Sequence, residues 1–437
     1  MKHFFLIVLS AILLCSSGCT VPNEAEVIRC YADTGENSGD IPAETEPSGN
    51  ETGPASTDPA LTAELYMLSD KEYNAYMDFT LRLLKDCADP SKEENMMISP
   101  LSVITALGMT ANGAKNDTLA QIESAIGLNL GELNTFLAAY LDTFPKGDGY
   151  KLTPANSVWY RDTESLHVEA DFLRNMNFHF NADVYPEAFD DGTCDKINEW
   201  VNENTDGMIQ KLLDEIPSDA VMYLINALAF DSEWAEEYED TDVHENIFTT
   251  ASGTEQTADM MYSEESRYLR SDDALGFLKF YRDEKYAFVG ILPNEGIRLD
   301  NYISSLTPEK LTVMLGTVYG DEVNARLPKF DAEYSAMMND QLKDMGITDL
   351  FDSVACDLSG MAQSDAGNIY VSRVLHKTFI SVDEKGTKAA AVTAVECTAE
   401  CVSEPVCIHL DRPFLYMIVE WENRVPVFIE TLESLVQ

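Results

Sequence analysis

One stretch near the C-terminus constrains the chain more than any other: Asp383-Glu384-Lys385-Gly386-Thr387-Lys388-Ala389-Ala390-Ala391-Val392-Thr393, a glycine followed by short side chains with no proline. In a strand, successive side chains point to opposite faces. That period sends Thr387, Ala389, Ala391, Thr393, Val395, Cys397 and Ala399 to one face and Lys388, Glu396 and Glu400 to the other. The first set is ready for burial, the second for water. Gly386 can absorb the rotation that turns an exposed loop into a strand, and the next proline, which would block a ladder, is Pro405. In isolation three alanines also suit a helix, but the alternation reads as a strand kept in waiting.

The chain has 437 residues, 45% of them apolar, enough for a large core and too apolar for disorder throughout. Its formal charge is −47, from 29 basic and 76 acidic residues, which argues against nucleic acid or anionic lipid as a partner held by a basic patch. Acidic side chains keep such a chain in solution and also steer cationic partners.

Lys2, the apolar stretch Phe4 to Leu14 and then Ser16-Ser17-Gly18-Cys19 read as an export signal over residues 1–18, too short to span a bilayer. Gly18-Cys19 is similar to a bacterial lipoprotein processing site, with Cys19 as the acylated residue, although Ser16 stands where such sites usually carry Leu or Val. Residues 19–60, rich in Glu, Thr, Gly, Pro and Ser, form a flexible polar linker, and residues 61–437 a single domain. This places the protein outside the cell, secreted or displayed as a cell-surface lipoprotein, with the membrane touched only through the N-terminal lipid. The nine cysteines contain no Cys-x-x-Cys pair, so neither a metal site nor a disulfide framework is indicated, and most read as small buried hydrophobes. Cys397 and Cys401, four apart in an extended strand, would lie about 13 Å from each other, too far for a disulfide. The expectation is unpaired thiols there, with a bent, oxidised loop as the alternative.

Apolar spacing predicts helices over Lys71 to Cys87, Leu101 to Ala111, Thr118 to Ile126, Leu133 to Phe144 and Cys194 to Leu213. Continuous apolar runs predict buried strands at Tyr286 to Leu292, Phe414 to Val419 and Val425 to Ile429. Helices in the first half and strands in the second, without regular alternation, make the fold α+β. No Gly-x-Ser-x-Gly elbow, His-Glu-x-x-His, P-loop or dinucleotide fingerprint occurs, so enzymatic chemistry and cofactors have no support in the sequence.

A succession of short matches then runs through nearly the whole of the domain. Asn95, Ser99-Pro100, Ser102, Ala106-Leu107-Gly108-Met109 and Gly113-Ala114 come first, then Ala155-Asn156, Ile197-Asn198, Trp200-Val201, Thr205, Gly207 and Ile209. Asn226-Ala227, Phe230, Trp234, Leu292-Pro293 and Leu327-Pro328-Lys329-Phe330 follow. Met345-Gly346-Ile347, Asp357-Leu358-Ser359-Gly360-Met361, His376-Lys377, the Gly386 run and Arg412-Pro413-Phe414 close the series. In number and order these resemble the serpin family. Glu430 departs from it, standing where the family usually has glycine, and predicts local strand repacking. The loop beyond Ala399 is about two residues longer than typical.

The resemblance implies a serpin fold with an exposed reactive-centre loop near the C-terminus and no catalytic residues. It implies a loop hinge at Glu384, Gly386, Thr387, Ala389, Ala390 and Ala391. A polar shutter of Ser99, Ser102, Asn226 and His376 would lie under the strands that must part, and a breach of Trp234, Lys329 and Glu384 at the loop base. It implies inhibition of a serine, or cysteine, protease: the cleaved loop enters the main sheet and traps the acyl-enzyme. Counting from the hinge or back from Pro413 leaves Ala399, Glu400, Cys401, Val402 and Ser403 as scissile-bond candidates, whose compact members suit an elastase-like target. A non-inhibitory serpin, a displayed binding protein or mere protease substrate, is the alternative. A monomer is expected, with loop–sheet polymers as the family's hazard.

Overall fold

A computed structural model describes residues 66–88, 94–144, 151–152, 154–282, 284–387 and 406–435. Cys19, the signal and linker segments, Ala389 to Ala391, Cys397 and the scissile-bond candidates lie outside the described residues.

The helices begin where the sequence supplies caps. Ser69 and Glu72 form a capping box at the start of Asp70–Cys87, and Asn129 and Glu132 form another at Leu130–Asp142. Ser99 caps Pro100–Ala111, with proline in the first turn. Asn116–Ile126 stops at Gly127, whose φ of 85° suits glycine. The fifth expected helix is shorter than its apolar spacing suggested. It runs Asp191–Asn204 and ends because Asp206 and Gly207 turn to φ of 49° and 80°, so Ile209 and Leu213 are buried from irregular backbone. A helix not foreseen from the sequence, Ala170–Phe180, packs beside Leu130–Asp142.

The three expected strands are Tyr286–Pro293, Phe414–Glu420 and Val425–Leu432. They are consecutive in a seven-stranded antiparallel sheet that continues through Met96–Ile98 on one side and Ala274–Phe280 on the other. Every residue of the two C-terminal strands is buried, which is why they read as unbroken apolar runs. The backbone is not repacked at Glu430: the ladder passes through it in register, with Met97 opposite on one side and Tyr416 on the other, and its irregularity falls at Ile418/Val419. A second sheet carries Val406–His409, Val323–Pro328, Glu255–Glu265 and Val243–Thr249. Of the described cysteines, Cys194 and Cys356 are buried and Cys87 half-buried, but Cys407 is exposed, because its strand leaves that side chain facing outward. The fold is α+β.

The remaining large strands form two separate groups. Asp183–Glu187, Ala155–Arg161 and Met222–Ala227 make one; Phe330–Met337 and Leu375–Val382 make the other.

Candidate functional site

The site is the division between those groups. Met222–Ala227 and Leu375–Val382 are each the last strand of their own group, and among the described residues no ladder joins them. A cavity of about 190 Å³ lies here, lined by both strands and by Ser102, Val103 and Ala106 of the helix beneath. Two strand edges thus stand with backbone hydrogen-bonding capacity in reserve.

The four shutter residues meet at the start of the Pro100–Ala111 helix. Ser99 N–H donates to His376 Nε2 at 3.2 Å, Ser99 Oγ donates to the Val427 carbonyl at 3.0 Å, and Ser102 N–H donates to Ser99 Oγ. Ser102 Oγ donates to Asn226 Oδ1. Asn226 and His376 belong to the opposite groups, so one helix terminus bonds to both sides of the division. Asn156, which the sequence showed beside Ala155 without a role, completes the network: it accepts from Asn226 Nδ2 at 2.9 Å and donates to the Phe180 carbonyl at 2.8 Å. Burial pushes the His376 pKa down to about 4. A neutral ring with an accepting Nε2 can hold this position without a buried charge.

The breach residues meet as well. Lys329 Nζ lies 2.6 Å from Glu384 Oε1, both side chains partly shielded from water. The hydrogen bond to Glu384 raises the Lys329 pKa; for Glu384, burial pushes upward, but the bond from Lys329 helps bring the carboxyl below its usual range. Trp234 is buried, stacked on Tyr281 with ring centroids 4.5 Å apart, and its indole Nε1–H donates to the Asp383 carbonyl at 2.9 Å. Trp234 N–H donates to the Lys385 carbonyl at 2.9 Å and Tyr238 N–H to the Glu384 carbonyl at 2.8 Å. Two residues therefore hold three consecutive carbonyls at the loop base. Tyr238 carried no signal in the sequence, since its part is played by backbone.

Within that grip the chain reverses. Asp383 Oδ1 accepts from the N–H of Lys385 and of Gly386, and Gly386–Thr387 then pairs antiparallel with Phe230–Glu233, Gly386 opposite Glu233 and Thr387 opposite Ser232. The other edge of Phe230–Glu233 is occupied by Lys151–Leu152, in a register that continues without a step into the pairing of Ala155–Arg161 with Met222–Ala227. Gly386–Thr387 consequently sits on the edge that leads down to the unladdered side of Met222–Ala227. Among the described residues no cluster suited to a metal is present, and no helix is long and apolar enough to cross a membrane.

Comparison with known proteins agrees with this architecture. The family model described as Serpin (serine protease inhibitor) matches residues 74–434. Iris of Ixodes ricinus is 30% identical over 377 residues, covering 83% of this chain and 98% of that protein. Among solved structures, the native state of the thermophilic serpin tengpin is 43% identical with a TM-score of 0.80, covering 85% of this chain and 96% of that one. The latent state of tengpin gives a TM-score of 0.76 at the same identity, covering 85% and 99%. The chain belongs to the serpin family, described as serine protease inhibitors.

Proposed function

We propose that this serpin is an irreversible suicide inhibitor of a serine endopeptidase, with a cysteine endopeptidase as the related possibility, and that it works by loop insertion. The target's nucleophile attacks a scissile carbonyl among residues 399–403, the new amino terminus leaves, and an acyl-enzyme joins the protease to the freed carboxyl end. Before water releases it, the chain from Gly386 runs into the division between Met222–Ala227 and Leu375–Val382. The attached protease is carried to the far end of the sheet and its active site is distorted.

The observation that carries this reading is the register at Gly386–Thr387. A chain that continues antiparallel from Thr387 passes Asp231 and Phe230 and then the waiting edge of Met222–Ala227. In that register Lys388 would come opposite Asp231, and Ala389, Ala390 and Ala391 opposite Phe230, Ala229 and Leu228, so the residues that lead the chain to that edge need little room and little side-chain ordering. The compact residues Ala399, Cys401, Val402 and Ser403 favour a narrow, elastase-like specificity pocket, while Glu400 would suit an acid-preferring protease. We place the protein outside the cell as a monomer, tethered through an acylated Cys19 and the polar linker.

Incubation of the purified chain with elastase-like, trypsin-like, glutamyl and cysteine proteases tests this reading on denaturing gels with mass spectrometry. A denaturant-resistant species of summed mass is expected, and the released C-terminal peptide identifies the scissile bond. Clean loop cleavage without such a species would make the protein a substrate or binding serpin instead.

A further inference from the structure

Beneath the grip on the loop base lies a buried charge that the inhibitory reading leaves unused. Lys279, in the Ala274–Phe280 strand, is only 4% exposed. Its Nζ stands 3.0 Å from Glu265 Oε1, 4.3 Å from the centroid of the Tyr238 ring and 5.7 Å from that of Trp234. Glu265 also accepts from Ser263 Oγ at 2.7 Å, and that hydroxyl lies 3.4 Å from Tyr238 Oη. A bare ammonium would be costly here, and removing one partner of a buried pair strands the other. The surroundings supply a carboxylate and two aromatic faces. Burial pulls the Lys279 pKa down, yet Tyr238 and Glu265 bring it above the ordinary lysine range, so the cation persists.

The two rings that share this cation belong to the two residues that seat the carbonyls of Asp383, Glu384 and Lys385. Trp234 is bridged to Tyr281, but the residues from 235 to 238 are irregular, and among the described residues no hydrogen bond joins Trp234 to Tyr238 to fix their spacing. A single charge between their faces does so through cation–π attraction at each. We propose that Lys279 is the positioning residue of the hinge: by tying Trp234 to Tyr238 it fixes the pivot from which the inserting strand is fed. The proposal rests on the loop-insertion reading above. Without the cation the two donors shift independently, the three carbonyls lose a common seat, and entry of the chain beyond Gly386 slows. Insertion competes with hydrolysis of the acyl-enzyme. A slower pivot therefore raises the number of inhibitor molecules cleaved per protease trapped and leaves the rate of loop cleavage unchanged.

The full chain is compared with Lys279→Met, Lys279→Arg and Glu265→Gln by two readouts. One is hydrogen exchange of the Trp234 and Tyr238 amides; the other is the molar ratio of inhibitor needed to silence a protease that cleaves the loop. Lys279→Met is expected to exchange about thirtyfold faster at both amides, the scale of one desolvated cation–π contact. The seven-stranded sheet should exchange as before, the molar ratio should rise, and Lys279→Arg should restore both values. Unchanged exchange at the two amides would overturn the proposal. So would acceleration spread evenly through the sheet, which would make Lys279 an ordinary core residue. If Lys279→Met does not fold, the double variant Lys279→Met/Glu265→Gln, which strands no carboxylate, is judged by the same criteria, whereas Glu265→Gln alone keeps the cation and should leave both amides slow. If the parent traps no protease the inhibitory reading fails, and the exchange result still decides whether Lys279 holds the grip.

Discussion

Glu430 lies directly across the ladder from Tyr416, with both side chains fully enclosed in the seven-stranded sheet. Neither carboxyl oxygen has a hydrogen-bond partner of normal geometry. Burial pushes the Glu430 carboxyl up to about 8, and the Tyr416 phenol offsets this only in part. The neighbouring aromatic rings, Phe288, Phe330 and Phe414, pack around Tyr416 and offer no donor. Burial accordingly holds the group neutral at neutral pH.

A carboxyl whose folded pKa is raised binds more protons in the folded than in the unfolded protein, so stability from this group falls as pH rises from its unfolded value near 4.5 to about 8. Glu430→Gln keeps the shape and removes the titration. We expect parent and variant to melt alike at about pH 4 and to diverge as pH rises, the variant gaining on the order of a few kcal/mol by pH 8. Thermal melts across that interval decide it; a constant difference would show that folding does not raise the Glu430 pKa.

His376 acts with the opposite sign. Its folded pKa, about 4 against an ordinary 6.5, means that the unfolded chain binds the proton more readily, so stability is lost as pH falls through that interval. Protonation puts a charge at the junction of the two strand groups, beside Ser99. His376→Gln should flatten the acid limb of the stability profile between about pH 6.5 and 4 while costing about 1–3 kcal/mol at pH 7 through the disturbed Ser99 contact. A parent whose Tm is flat over that range while the variant falls would contradict the assignment.

The elements legible in the sequence were those whose signal is local. Apolar spacing marked four helices, and the unbroken apolar runs marked the strands buried on both faces; the caps at Ser69, Ser99 and Asn129 became evident only in the fold. Cys194 to Leu213 misled because apolar spacing continues past Asp206 and Gly207, where the backbone turns. Resemblance supplied the residues of the shutter and breach, and the fold brings Ser99, Ser102, Asn226 and His376 together, as it does Trp234, Lys329 and Glu384. Tyr238 and Lys279 stayed hidden for a physical reason. One acts through a main-chain N–H, and the other is a lysine whose partners are distant in sequence, so neither makes a pattern.

The pair Lys329–Glu384 joins the strand junction at Pro328 to the loop base. Both side chains keep roughly a quarter to a third of their exposure, so the pair belongs near the upper end of surface ion pairs, about 1 kcal/mol. Its contribution is present where both are charged. It fades as pH falls through the lowered pKa of Glu384 and again as pH rises through the raised pKa of Lys329. A double-mutant cycle of Lys329→Met and Glu384→Gln, read by denaturant unfolding, should give a coupling of about 1 kcal/mol. The same variants should speed exchange at Lys385 and Gly386. Zero coupling would reduce the pair to a surface contact without a part in seating the loop.

Gly386 is where the backbone leaves no alternative residue. Its φ is 154°, and a Cβ added there would stand 2.2 Å from the Ser232 carbonyl oxygen and 2.6 Å from Glu233 Cα. Both are main-chain atoms of the strand it pairs with, so no side chain can move aside. Gly386→Ala must therefore lift Gly386–Thr387 off Phe230–Glu233, at a conformational cost of about 1–3 kcal/mol. The loss of folding stability should be of that size, since only a two-residue ladder is involved. The effect on trapping should be much larger, because the first two rungs of the entering strand are gone while the segment 399–403 remains open to attack. Denaturing gels should show the protease cleaving the variant loop at the parent rate and leaving mostly cleaved inhibitor in place of complex. Undiminished complex would mean that the strand enters the sheet without first pairing at Glu233, and that the register seen at Gly386 does not guide it.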